Sequence, residues 1–130
     1  MATYTPNPLG AENVYGKVQV AGVDVTPLRA FSNVAASQTD ANLVSAVASK
    51  QIVVIALFMV TGATATNVTF NSKPAGAGTA ISPLVADSAN GGLVLPKNEL
   101  GWFATNSGEG LTVTTGAGST TGIMVVYITV

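Results

Sequence analysis

No cysteine and no histidine occur in the chain. The first absence removes disulfides, thiol catalysis and cysteine-rich metal sites. The second removes the commonest general acid–base and the commonest ligand for divalent transition metals. Any enzyme built on this sequence would have to work with six carboxylates, Glu12, Asp24, Asp40, Asp87, Glu99 and Glu109. No two of them lie at a spacing that forces them together, so they read as solvated loop charges. Only a fold that joined Glu99 and Glu109 at one rim would reopen glycoside chemistry. A serine nucleophile has neither a GxSxG elbow nor a histidine to activate it. No catalytic, metal or cofactor-binding residue is therefore assigned.

Charge is also scarce. Charged residues make up 8% of the chain, net charge −1, against ~25% in an average soluble protein. Thr, Ser, Asn and Gly take their place. The five basic residues, Lys17, Arg29, Lys50, Lys73 and Lys97, are scattered and form no patch that would neutralise phosphates, so nucleic acid is not expected as a ligand. A surface this poor in charge is weakly protected against association, which points to self-assembly or a permanent partner. The plainer alternative is a neutral, Thr-rich β surface on a monomer. Long apolar runs are missing too. The longest, Ile52 to Val60, is far short of the ~20 residues of a membrane helix, so no membrane partner is expected. MATYTPNPLG has neither a basic start nor an apolar run, so it does not read as a secretory signal and synthesis in the cytoplasm is expected. On that expectation the sequon Asn67-Val68-Thr69 is discounted.

What is present is β grammar on one domain's length of chain. Residues 1–13, with Pro6, Pro8 and Gly10, read as an extended arm, and residues 14–130 as a single domain. Val14, Val18 and Val20 alternate with Tyr15, Lys17 and Gln19, which is a strand. Val23 to Thr26 gives a weak hairpin signal after Ala21-Gly22, stopped by Pro27. Residues 28–41 read as loop. Asp40 to Lys50 is open between a capped helix bearing Leu43, Val44 and Val47 and a strand that turns at Ser49-Lys50. Ile52 to Val60 is β-branched and continuous, so a central strand covered on both faces is expected. Val68 to Asn71, Thr79 to Ile81, Leu93 to Leu95, Leu111 to Thr115 and Gly122 to Val130 complete the set. The last strand is apolar on both sides, with Ile123, Val125 and Tyr127 on one and Met124, Val126 and Ile128 on the other. Such a strand is central or covered by another subunit. About eight strands at this spacing make an all-β antiparallel sandwich or jelly roll.

Glycine clusters at 76–78 and 116–118 lack the lysine and helix of a phosphate loop and read as turns. Asp87 and Asn90 lack EF-hand spacing. Trp102 has two readings, an exposed platform for a sugar or partner, and an aromatic plug, with Phe103, closing the core. In the arm, Tyr4, Pro6, Pro8 and Leu9 cannot bury themselves locally. They form either a docking segment of low entropic cost or a disordered tail.

The stretch NGGLVLPKNELGWFATNSGEGLTVT (Asn90 to Thr114), preceded by KQIVVIALFMVTG and VTFNSKPAGAGTAI, resembles small β-sandwich proteins of tailed-phage virions, of the capsid decoration (cement) or head-fibre type. The likeness lies in the succession of elements over Ser37 to Val130. It implies a strand pair at 40–61, and a non-enzymatic protein on the virion surface that binds the major capsid protein from outside and bridges neighbouring subunits. It also implies a homotrimer, in which the last strand and Ile52 to Val60 meet near the threefold axis. The interface residues expected on this basis are Tyr4, Pro6, Pro8, Leu9, Tyr15, Trp102, Met124, Val126 and Ile128. The alternative is a carbohydrate-binding or adhesive module of a fibre or tail, with Trp102 and Tyr15 stacking on a glycan.

Overall fold

The computed structural model describes residues 18–130. They form twelve strands. β1 (Val18–Val20) and β2 (Val23–Val25) make a hairpin, and β3 (Leu28–Val34), β4 (Ala41–Val44), β5 (Ile52–Thr61) and β6 (Thr66–Lys73) follow. After them come β7 (Thr79–Ala80), β8 (Val85–Asp87), β9 (Gly92–Leu95), β10 (Phe103–Ala104), β11 (Gly110–Thr115) and β12 (Thr121–Thr129). All pairings are antiparallel. Among the described residues no helix is long and apolar enough to cross a membrane.

Two sheets face each other. The front sheet has the order β3-β12-β5, with β9 and β10 sharing the far edge of β5; the back sheet has the order β4-β11-β6, with β7 and β8 sharing the far edge of β6. Counting each shared edge once gives eight strand positions, and the chain crosses between sheets at nearly every connection. That is the strand order of a jelly roll. Leu111, Val113, Val68 and Phe70 of the back sheet meet Val54, Leu57, Met59 and Val125 of the front sheet in the core. One end is closed by paired polar groups: Thr61 donates to Asp87 at 2.7 Å, and Ser119 N–H donates to Thr66 Oγ1 at 2.8 Å.

Residues 28–41 are not loop, because β3 occupies seven of them. Its inward residues are Leu28, Ala30, Ser32 and Val34, and its outward ones include Phe31, so the usual apolar-in, polar-out alternation is blurred and in part inverted. Asp40 to Lys50 is not helical; β4 takes Ala41–Val44 and a turn follows, with Lys50 N–H donating to Val47 O at 3.0 Å. β5 is central, but its faces are not read off simple alternation. The pairs Val126↔Ala56 and Tyr127↔Val54 leave Ile55 as an extra residue. This bulge turns Ile55 outward while Val54 and Leu57 both point into the core.

Candidate functional site

The outer face of the front sheet divides in two. Over one half lies the β1–β2 hairpin, whose Val18, Val20 and Val25 pack on Ile55, Ile128, Val53 and Val126 in a second small core. The coverage expected for β5 therefore holds only for its first residues. Over the other half no described residue covers the strands. Phe31 pairs with Met124, Met124 with Phe58, and Phe58 with Val94, so four apolar side chains stand in register across β3, β12, β5 and β9. Their exposures are Phe31 78%, Met124 38%, Phe58 46% and Val94 67%, with Val60 at 44%. Cross-strand neighbours on one face lie about 5 Å apart, so this is a continuous stripe. Beside it Gly122 leaves a groove of about 190 Å³ between Phe31 and Phe58. A Cβ built on Gly122 would sit 3.2 Å from Asn33 Oδ1, so glycine keeps the groove floor low. Arg29 is the single charged residue on this face among the described strands.

Of the residues expected at an interface, Tyr4, Pro6, Pro8, Leu9 and Tyr15 lie outside the described residues. Met124 stands in the stripe. Ile128 is 1% exposed and Val126 half-buried, both beneath the chain's own hairpin, so Ile128 has no surface to offer while that hairpin is in place. Trp102 and Phe103 part company. Phe103 points inward and stacks on Phe70 with ring centroids 5.0 Å apart. Trp102, one residue earlier, points the other way, stays 42% exposed, and donates its Nε1–H to Pro96 O at 2.7 Å. The 96–101 loop is tied to β5 by Asn98 N–H to Ile55 O at 2.8 Å and presents Leu100 almost fully to solvent.

The described carboxylates are dispersed. Asp40 accepts from Asn71 Nδ2 at 3.2 Å, Thr112 Oγ1 at 3.1 Å and Gly78 N–H at 2.9 Å. Glu109 accepts from Ser72 Oγ and from Asn106 Nδ2 at 3.1 Å, and Glu99 lies 3.7 Å from Lys97 Nζ. Among the described residues no three acidic, histidine or cysteine side chains group as metal ligands. Phe31, Phe58 and Val94 escaped the sequence reading. Phe58 lay inside a run too uniform to show its faces, and Phe31 inside a stretch read as loop.

Fold and surface together define, over the described residues, a jelly-roll domain with a contiguous apolar stripe on an open sheet face. No protein-family model matches the chain, and no curated protein or solved structure matches it.

Proposed function

We propose that the protein is a non-enzymatic structural component of a phage virion, a decoration protein that docks on the outside of the head and stabilises it by bridging major capsid protein subunits. The observation that carries this is the Phe31–Met124–Phe58–Val94 stripe, a contiguous apolar surface of the sort that marks protein contact sites. Docking would bury the stripe across a subunit boundary, so that an outward load must break an additional interface. The near-absence of charge on this face fits a contact core, where Lys and Glu are depleted. The test is co-sedimentation with heads assembled from the major capsid protein encoded in the same genome. Wild-type protein should bind and Phe58→Lys should not. Heads that take up neither protein, or both equally, overturn the proposal.

Trp102 favours a second reading, a glycan-binding module. Its ring is partly accessible and is held by the bond to Pro96 O, at the start of a loop whose Lys97, Asn98, Glu99 and Leu100 line an open depression. Quenching of its fluorescence by soluble oligosaccharides, lost in Trp102→Ala, would support this reading; an unresponsive signal across a glycan panel would remove it.

A further inference from the structure

β3 is an edge strand, and the other sheet edges differ from it. The far edges of β5 and β6 are each split between two short strands, of four and two residues and of two and three residues. β4 has four residues and a register shift opposite Leu111 and Thr112. Short, interrupted edges are poor templates for strand addition. β3 has seven residues, no proline and no register shift, pairs among the described residues with β12 alone, and carries one charge.

We infer that two copies of the chain join edge to edge through β3, antiparallel and centred on Phe31. In that register Leu28 faces the other copy's Val34, Arg29 faces Asn33, Ala30 faces Ser32, and the two Phe31 rings meet on the outer face. No like charges oppose each other, and an aromatic pair is a favourable cross-strand contact. The pairing joins the two front sheets into one and makes the two apolar stripes collinear. Contact area gives a reason for it. A bare half-face four strands wide and about five residues long has a flat footprint of roughly 300 Å², well below the ~800 Å² per partner of a standard interface. Doubling brings it much nearer. The pairing uses the β3 edge of both copies and closes as a twofold dimer, so it departs from the threefold assembly that the resemblance implies. The edge contact stands on β3 alone; the larger platform it creates rests on the docking proposal above.

The test is sedimentation velocity over a concentration series for wild type, Asn33→Glu and Asn33→Lys. Asn33 is exposed, and thermal melts check that each variant folds. Asn33→Glu places a carboxylate opposite the partner's Arg29 twice per dimer and should tighten association roughly threefold to tenfold, while Asn33→Lys should weaken it by a similar factor. Both effects should shrink in high salt. A wild-type monomer at every concentration, a trimer, or an association indifferent to the charge at position 33 overturns the inference. A monomer that still binds phage heads sinks the edge pairing and spares the docking proposal; a position-33-sensitive dimer that ignores heads does the reverse.

Discussion

The outer faces of the two sheets were built from the same fold and finished in opposite ways. On the back sheet, Thr112 and Asn71 are paired across β11 and β6, yet they are 3% and 6% exposed. The loops before β4 and after β6 fold over them, and Asp40 collects donors from Asn71, Thr112 and Gly78 while its own N–H reaches Thr114 Oγ1 at 3.2 Å. On the front sheet the corresponding surface is Phe31, Met124, Phe58 and Val94, and no described loop crosses it. Polar groups can be satisfied by short loops that supply matched donors and acceptors, which is why the back face closes on itself. An apolar stripe is satisfied only by area, and the β1–β2 hairpin is committed to the other half of that sheet.

The closed back face depends most on Asp40. Replacing it with Ala orphans three donors and leaves a non-glycine residue without local hydrogen bonding at φ 51°, with an expected loss of about 3 kcal/mol. Asp40→Asn keeps an acceptor and a residue type that tolerates this backbone, and should lose about 1 kcal/mol. Chemical denaturation of both variants measures the difference. Equal losses would mean that the back face is held by its backbone ladder and not by this carboxylate.

Ile128 sharpens the contrast within the front sheet, because it lies under the hairpin and not in the stripe. Ile128→Ala should destabilise by about 2 kcal/mol, the low end for a buried Ile, since the layer above it is thin. Amide exchange should accelerate at Val18–Val25 well before it does in β11. Uniform acceleration throughout would show that the hairpin is part of the main core and not a separable cover.

These differences explain what the sequence made legible. β5, β6, β11 and β12 were readable because their composition is β-branched and their ends are marked by glycine, and the two faces of β12 follow the simple alternation. β3 was not, because its inward positions hold Ala30 and Ser32 while Phe31 faces solvent. β8 and β10, of three and two residues, are too short for any periodicity to register. The bulge at Ile55 has no local signature, since every residue around it is apolar; only pairing with β12 reveals which side each one takes. The apolar face was hidden for the same reason: alternation assigns residues to two faces but does not say which face is covered. The polar cluster at Asp40 joins residues up to 74 positions apart, beyond the reach of spacing arguments.

The smallest expected effect on stability bears most directly on function. Phe31 stands on an edge strand at 78% exposure, so Phe31→Ser removes little buried area and should leave unfolding free energy within about 0.5 kcal/mol of wild type. Thr112→Ser, on the closed face, deletes only a methyl group and keeps the hydroxyl donor to Asp40, so its cost should also be small, about 1 kcal/mol. The two variants separate in solution behaviour. A dye that fluoresces on apolar surface should bind wild type and Thr112→Ser alike and bind Phe31→Ser distinctly less, because only the last interrupts the stripe. A large loss of stability in Phe31→Ser would instead mean that its ring already has a partner within the chain, and the front face would then be closed like the back one.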